Sequence, residues 1–304
     1  MHKAGYINII GSPNVGKSTL LNSLTGEKLA IVTSKVQTTR HRILGIINGD
    51  EFQIIISDTP GIIKPRYKLQ EKMMDAVSGS LQDADIFLPM LDITQDPRKY
   101  FEDKYFKSVY SKAIGSNTPF IFVLNKLDLV KNDTVDDLVR KWKKQIEFSF
   151  KEIEEQPRVI PISALKGINL EILFGMIIES LPESEPYFPK DQLTDRPEKY
   201  FIAEIIREKI FVNFREEIPY ATEVVVDTFK EEKNITRIRA EIYVERKSQK
   251  PILIGKQGSA LKKIGTRARL DIEMFLGQKV FLELFVKVKE NWRNNPSQLK
   301  SFGY

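Results

Sequence analysis

Residues 11–18 contain the sequence feature that most restricts the fold of this chain. They read Gly-Ser-Pro-Asn-Val-Gly-Lys-Ser and match the phosphate-binding pattern G-x-x-x-x-G-K-[ST] at each fixed position. An apolar run, residues 6–10, precedes them, and a helix-like run, residues 19–24, follows them. In this strand–loop–helix setting the pattern binds a polyphosphate at the N-terminus of a helix. The expected nucleotide-binding residues of the loop are Gly11, Ser12, Pro13, Asn14, Val15, Gly16, Lys17, Ser18 and Thr19.

Two side chains of this loop carry specific chemistry. Lys17 is expected to act in catalysis because it can reach the terminal phosphates, and the Ser18 hydroxyl is expected to ligate Mg²⁺. Gly11 and Gly16 allow backbone N–H groups to turn inward around the phosphates. The loop therefore predicts a nucleoside triphosphate and magnesium as ligands.

Composition excludes several other classes of site. The 304 residues include no cysteine and two histidines, His2 and His41. Disulfides and thiolate metal centres are therefore excluded, and a histidine-rich metal site or a Ser–His triad is disfavoured. No run approaches the ~20 apolar residues of a membrane span, and the N-terminus lacks a signal-peptide pattern. The expected location is the cytoplasm.

Apolar runs alternate with longer mixed stretches over the first 180 residues. This alternation is typical of a mostly parallel sheet with helices on both faces, so the predicted fold class is α/β. The predicted strands are residues 7–10, 52–56, 86–91, 119–124 and 159–162. A proline-rich stretch follows, and we expect residues 181–199 to link a domain at 1–180 to a second domain at 200–304.

The second domain has a different pattern, typical of a small α+β fold. The predicted elements are a helix at 201–214, strands at 222–229, 236–245 and 280–288, and two helices at 258–266 and 267–276. Residues 252–254 are interpreted as the end of a strand. Ten basic and four acidic residues lie between 255 and 304, so this segment carries the whole net charge of +6. Such asymmetry indicates a polyanionic partner, although a solvated lysine-rich surface explains the charge equally well.

Residues 58–61 read Asp-Thr-Pro-Gly and follow the predicted strand 52–56. In a protein with a phosphate-binding loop, an aspartate at this place holds Mg²⁺ through water, and the glycine N–H approaches the γ-phosphate. Asp58 is therefore predicted to bind Mg²⁺ and Gly61 to act in catalysis. The nucleotide-binding set is extended by Asp58, Thr59, Pro60 and Gly61.

Residues 125–128 read Asn-Lys-Leu-Asp and predict the base that is bound. The Asp128 carboxylate can accept two N–H groups from the edge of guanine, and adenine offers no matching donors. Asn125 is expected to tie this segment to the phosphate-binding loop, while Lys126 packs over the base. A backbone N–H near the guanine O6 is expected from Ser163, Ala164 and Leu165. Together these residues specify GTP rather than ATP.

A polar stretch, residues 33–42, lies between the two phosphate motifs. A threonine in such a loop can ligate Mg²⁺ only when the γ-phosphate is present, which makes the loop a nucleotide-sensing switch. Thr39 is the predicted metal ligand and catalytic residue, and Thr38 is the alternative.

Ile62 occupies the position at which Ras-like switch proteins place a water-orienting glutamine. Isoleucine cannot orient water, so either hydrolysis is slow and depends on a partner or another element takes over this role. Asn14 offers such an element, because an asparagine in the loop can help to hold K⁺ against the phosphates. The sequence thus predicts a GTPase of slow intrinsic rate, with K⁺ as a possible second cation.

Residues 255–258 form a G-x-x-G pattern ahead of a predicted helix. A KH module uses such a turn to bring its backbone close to about four nucleotides of single-stranded RNA, and nearby lysines contact the phosphates. The predicted RNA-binding residues are Ile254, Gly255, Lys256, Gln257, Gly258, Lys262 and Lys263.

With these motifs in this order, the chain resembles the bacterial Era GTPases. The likeness includes residues 204–209, Glu-Ile-Ile-Arg-Glu-Lys, and residues 301–304, Ser-Phe-Gly-Tyr. The resemblance implies a GTPase domain joined to a type II KH domain that binds the 3′ end of 16S ribosomal RNA and helps to mature the 30S subunit. It also implies that GTP favours RNA binding and that hydrolysis favours release. A hydrophobic residue at position 62 is usual in that family.

The expected partner is therefore RNA and not DNA. The protein is expected to be a monomer, located in the cytoplasm or associated peripherally with the inner membrane. Two other functions stay open at this point. A tRNA-modifying GTPase shares the loop asparagine and the use of K⁺, but such proteins need a catalytic cysteine, and this sequence contains none. A passive RNA-binding module with a merely structural nucleotide site is the second alternative.

Overall fold

The computed structural model describes residues 1–114, 118–151 and 157–304, which form two compact units. The first unit contains residues 1–30, 39–65 and 73–195. The second contains residues 31–38, 66–72 and 196–304, so Thr38 and Thr39 belong to different units although they are adjacent in sequence. Within the described ranges, every helix is too short or too polar to cross a bilayer.

The first unit is built on a six-stranded sheet with the strand order β2-β3-β1-β4-β5-β6. The strands are β1 Lys3–Ile10, β2 Ile43–Asn48, β3 Phe52–Asp58, β4 Ile86–Asp92, β5 Ile121–Asn125 and β6 Arg158–Pro161. Neighbouring strands are parallel except for β2, which pairs antiparallel with β3. The interior strands are almost continuously buried, as expected for a parallel sheet covered on both faces.

Helices alternate with these strands, and the first of them follows the phosphate-binding loop, as the sequence pattern predicted. They are α1 Lys17–Thr25, α2 Lys68–Ser80, α3 Pro97–Glu102, α4 Lys104–Ile114, α5 Val135–Ser149 and α6 Leu170–Ser180. An aromatic cluster fixes α3 beside the sheet, with Tyr100 edge-to-face on Phe106 at 4.3 Å between ring centroids. Trp142 of α5 belongs to the same cluster and is fully buried.

The segment predicted as a linker packs on the first unit as far as residue 195. The Ile46 N–H donates to the Leu193 carbonyl at 2.8 Å, and the Leu44 N–H donates to Asp195 Oδ1 at 3.0 Å. Gln53 Nε2 donates to the Phe188 carbonyl at 2.7 Å. This segment thereby covers the free edge of β2, a strand that the sequence pattern did not predict.

The second unit contains a three-stranded sheet in the order β7-β8-β9, with β7 antiparallel and β9 parallel to β8. Its elements are α7 Glu198–Asn213, β7 Thr222–Glu232, β8 Ile235–Val244, α8 Gln249–Ile254, α9 Ser259–Leu276, β9 Val280–Val288 and α10 Pro296–Ser301. Ile206 of α7, Ile242 of β8 and Ile272 of α9 belong to one buried core. This is the predicted α+β arrangement.

Two predicted elements of this unit were wrong. Residues 258–266 and 267–276 are not separate helices, because α9 runs without a break from Ser259 to Leu276. The apolar residues 252–254 belong to α8 rather than to a strand. An apolar run of three residues does not distinguish the two structures, and in the fold Leu253 is buried while Ile252 is half-exposed.

Candidate functional site

The predicted phosphate-binding loop lies between β1 and α1, where it encloses the Lys17 side chain. Lys17 is buried, and its Nζ donates to the carbonyls of Gly11 at 3.1 Å and Ser12 at 3.0 Å. Burial lowers the pKa of Lys17 to about 8, although the Asp58 carboxylate acts in the opposite direction. The ammonium group of Lys17 is thus enclosed by the loop, and a bound phosphate would stabilise its charged form.

Two residues of the loop have backbone conformations that explain their identity. Gly16 has a φ of 106°, and a Cβ at this position would lie 2.3 Å from Asn125 Nδ2. Asn14 is exposed and has a φ of 60°, a left-handed conformation that asparagine tolerates better than most residues. Asn14 therefore has a conformational reason to be present, in addition to any contact with a cation.

Three oxygen-bearing side chains meet beside Lys17. Ser18 Oγ donates to Asp58 Oδ2 at 2.7 Å and lies 2.9 Å from Thr39 Oγ1. Asp58 is fully buried, and its Oδ1 has no hydrogen-bond partner among the described residues. Burial raises the pKa of Asp58, whereas Lys17 and the hydroxyl of Ser18 oppose this shift. Two hydroxyls and a carboxylate with an unused oxygen form a donor set that suits Mg²⁺.

Thr38, the alternative ligand, makes different contacts. Its Oγ1 lies 2.8 Å from Thr33 Oγ1 and donates to the Lys35 carbonyl at 2.8 Å. Its carbonyl accepts a hydrogen bond from the buried Arg207 guanidinium, within the second unit. The structure therefore brings Thr39, and not Thr38, to Ser18 and Asp58.

The segment that follows Asp58 packs directly on the phosphate-binding loop. A Cβ on Gly61 would lie 2.7 Å from the Pro13 nitrogen, so only glycine permits this approach. The Ile62 N–H donates to the Gly11 carbonyl at 3.0 Å. The Ile62 side chain is 7% exposed and belongs to the apolar core. Position 62 is consequently a packing position, which explains why it holds an apolar residue.

Asn125 joins the three loops at the predicted base site. Its Nδ2 donates to the Val15 carbonyl at 2.7 Å, and its Oδ1 accepts from the Ala164 N–H at 2.9 Å. Ser163 Oγ donates to Asp128 Oδ1, which fixes the carboxylate predicted to recognise guanine. Thr59 and Pro60 are buried, whereas the Leu165 side chain is exposed.

Two further residues contact the site and were not selected from the sequence. Asp92, at the end of β4, accepts a hydrogen bond from Lys126 Nζ at 2.7 Å. The Tyr100 hydroxyl accepts from the Ser12 N–H at 3.0 Å, and burial raises the pKa of Tyr100 to about 12. Asp92 could have been selected from the sequence, because it resembles Asp58: each is an aspartate at the end of a buried strand. Tyr100 could not have been selected in this way, since its contact with Ser12 joins residues that are far apart in the chain.

The predicted KH turn lies between α8 and α9. Gly255 and Gly258 have φ values of 76° and 78°, and Gln257 has a φ of 51°. A groove with a volume of about 390 Å³ begins at this turn and runs between α9 and β9. The groove is lined by Gly258, Leu261, Lys262, Gly265, Thr266, Arg269, Leu282 and Leu284.

The groove and the predicted RNA-binding residues overlap only in part. Gly258 and Lys262 line it, whereas Lys256 and Gln257 are exposed on the turn and Lys263 is exposed on α9. Ile254 and Gly255 belong to the half-buried entrance of the turn. The remaining lining residues were missed, because the pairing of a helix face with a distant strand has no local sequence signal.

Two family models match the chain. Residues 6–126 match the model described as 50S ribosome-binding GTPase, and residues 217–293 match the KH domain model. These matches cover the phosphate-binding loop and the G-x-x-G turn, respectively. The predicted fold class, a GTPase domain followed by a KH domain, is confirmed.

Curated relatives and solved structures match over almost the whole chain. The chain is 43% identical to GTPase Era of Staphylococcus epidermidis over 304 residues, which is all of this chain and 97% of that protein. It is 42% identical to GTPase Era of Ruminiclostridium cellulolyticum, again over all of this chain and 98% of that protein. A crystal structure of Era with MgGDPNP and nucleotides 1506–1542 of 16S ribosomal RNA has a TM-score of 0.91 and 41% identity, covering 100% of this chain and 99% of that one. A crystal structure of an Aquifex aeolicus Era variant bound to GDP.AlF4⁻ has a TM-score of 0.90 and 42% identity, covering 99% of both chains.

Proposed function

This chain belongs to the GTPase Era family, and from that premise we propose that it is a GTP-controlled switch that binds the 3′ end of 16S ribosomal RNA and assists assembly of the 30S subunit. The observation that carries the proposal is the end-to-end likeness to the Era structure that holds MgGDPNP and nucleotides 1506–1542. In this proposal residues 1–180 bind and hydrolyse GTP, residues 181–199 connect the domains, and residues 200–304 bind RNA.

The small subunit is favoured over the large one as the target. The family model described as a 50S ribosome-binding GTPase covers only residues 6–126, which do not include the KH domain. The Era structure with 16S RNA matches both domains. Because the RNA-binding module is the part that selects a target, the match that includes it carries more weight.

The nucleotide chemistry follows from the positions of the side chains. Ser18 and Thr39 would hold Mg²⁺ through their hydroxyls, and Asp58 would hold it through water. Bound there, the ion would neutralise charge on the β- and γ-phosphates. Lys17 supplies a second positive charge, and the Gly61 N–H supplies a donor to the γ-phosphate. In this proposal Thr39 ligates Mg²⁺ while the γ-phosphate is bound and is released after hydrolysis, so the loop around it distinguishes GTP from GDP.

A monovalent cation is the proposed substitute for a water-orienting or charge-stabilising side chain. Ile62 is buried in the core, so position 62 supplies neither function. Asn14 is exposed at the tip of the phosphate-binding loop, where its side chain can help to coordinate K⁺. Single-turnover GTP hydrolysis is expected to be faster in KCl than in NaCl at equal ionic strength. Equal rates in the two salts would remove the cation from the mechanism.

The RNA part of the proposal is tested with the full chain and an RNA of the 1506–1542 sequence. Gly258→Asp places a carboxylate at the turn, where a Cβ meets no atom within 4 Å and where the positive φ strains aspartate less than most other residues. RNA affinity is expected to fall at least about ten-fold in low salt, because the carboxylate repels the phosphates. The thermal unfolding curve serves as the check on folding.

The alternative of a passive RNA-binding module is tested by single-turnover hydrolysis with and without this RNA. The switch hypothesis predicts slow hydrolysis that the RNA or a partner accelerates, and tighter RNA binding with a non-hydrolysable GTP analogue than with GDP. Absence of turnover in both conditions would favour the passive module. Crosslinking of the GTP-loaded protein to cellular RNA identifies the target, and a spread over tRNAs would contradict the proposal.

A further inference from the structure

Gly265 lies in the interior of α9, where its presence has no explanation in the fold. Glycine is less favourable in a helix than every residue except proline, because its backbone loses the most entropy. Gly265 has no positive φ, so the backbone does not require glycine. A Cβ built there would meet only Leu284 Cδ1, at 3.4 Å, which is an ordinary contact. Alanine would therefore fit and would stabilise the helix.

The missing side chain leaves space in the groove of the KH domain. Gly265 lines the groove together with Leu282 and Leu284 of β9, and Leu284 is the residue that a Cβ at position 265 would contact. Leu261, one turn earlier on α9, lines the same apolar surface. A side chain at position 265 would project into this space.

The rim of the groove is polar and basic. Lys262 and Thr266 line it on α9, together with Arg269, whose guanidinium is held by Glu273 at 2.9 Å. The same groove begins at Gly258, the last glycine of the turn. An apolar slot with a basic rim, continuous with a phosphate-binding turn, has the chemistry of a site for a nucleobase attached to its sugar-phosphate backbone.

We propose that Gly265 is an RNA-binding residue of the groove: its lack of a side chain leaves space there for one base of single-stranded RNA, at a cost in helix stability. This inference rests on the proposed RNA-binding function and adds the residue that shapes the base pocket. It makes an unusual prediction, since the same substitution must increase stability and decrease RNA binding.

The test compares Gly265→Ala and Gly265→Leu with the parent protein, using the full chain and the 1506–1542 RNA as probe. Both variants are expected to unfold at the same or a higher temperature, by a few degrees for alanine, because both residues favour the helix. RNA affinity is expected to fall about five-fold or more for alanine, the size of one weakened base contact, and further for leucine. The loss depends on side-chain volume, and the salt dependence of binding is expected to stay unchanged because no charge is altered.

Gly175→Ala is the matched control. Gly175 also lies inside a helix, α6, and a Cβ there meets no atom within 4 Å. It is expected to raise the unfolding temperature without changing RNA affinity. A comparable loss of RNA binding in this variant would show that replacing a helix glycine outside the groove has the same effect, and would overturn the proposal.

The remaining outcomes separate this inference from the function on which it rests. If Gly258→Asp binds RNA like the parent, the KH turn is not the RNA site and the proposed function fails. If Gly258→Asp loses RNA while Gly265→Ala retains it, only the role of Gly265 is refuted. A lower unfolding temperature for Gly265→Ala would show that the glycine is required by the fold, and would also refute the inference.

Discussion

Substitution of Ile62 by glutamine is the sharpest test of how this site is organised. By analogy with Ras-like proteins, a glutamine here would orient water and accelerate hydrolysis. The structure predicts the opposite result, because the Ile62 side chain is 7% exposed and packs in the core beside the phosphate-binding loop. The substitution should damage the fold of the first unit without creating a catalytic group.

The expected loss of stability follows from the burial of this side chain. Removing a buried isoleucine forfeits about 1.5–3 kcal/mol, and burying an amide without a partner costs about 1–3 kcal/mol more. The flexible glutamine can partly escape to solvent, so we expect a loss of about 3 kcal/mol in the free energy of unfolding. With a urea m-value of about 2–3 kcal/mol/M, the midpoint falls by about 1–1.5 M.

The assay is urea unfolding followed by Trp142 fluorescence, in a Trp292→Phe background so that the reporter lies in the first unit alone. Ile62→Val is the control and should cost only about 0.5–1.5 kcal/mol. Single-turnover GTP hydrolysis by Ile62→Gln, measured in the absence of urea, is expected to be no faster than in the parent. An unchanged midpoint together with faster hydrolysis would refute the reasoning, because residue 62 would then face the phosphates.

Three further substitutions test other parts of the structure. Asp128→Asn should shift nucleotide preference from GTP towards xanthosine triphosphate, because a hydrogen-bond acceptor is replaced by a donor. Competition binding of the two nucleotides measures this preference, and an unchanged preference would contradict the assignment of Asp128 to guanine recognition. Glu204→Ala removes the carboxylate that pairs with the fully buried Arg207 and should cost about 3–5 kcal/mol in chemical denaturation. Combining Glu204→Leu with Arg207→Met should recover part of this loss, because the Thr38 carbonyl then loses the hydrogen bond from Arg207. Tyr100→Phe should weaken GDP and GTP binding about five-fold each by freeing the Ser12 N–H. Tyr110→Phe is its control, since the buried Tyr110 hydroxyl has no hydrogen-bond partner among the described residues, and equal losses in both variants would contradict a specific role for Tyr100.

Much of the nucleotide site could be predicted because its motifs depend on local backbone requirements. Gly16 needs a positive φ, and Gly61 needs to approach Pro13 closely. Both requirements are met by glycine, so both positions can be recognised in a short sequence pattern. Each motif follows a buried strand, and the carboxyl ends of neighbouring parallel strands meet at one edge of a sheet. The GTPase and KH domains, their order and the family were therefore accessible from the sequence alone.

The tertiary structure decided what depends on contacts between distant segments. It joined Thr39 rather than Thr38 to Ser18, although two adjacent threonines are equivalent as sequence letters. It placed Ile62 in the core, which changed its meaning from a missing catalytic residue to a packing residue. It also placed Gly265, which lies near the end of the first of two predicted helices, inside one continuous helix and in the lining of a groove. Local patterns specify backbone conformation and ligand chemistry, but only the packed fold determines which side chains share a space, since burial and contact arise from residues far apart in the chain.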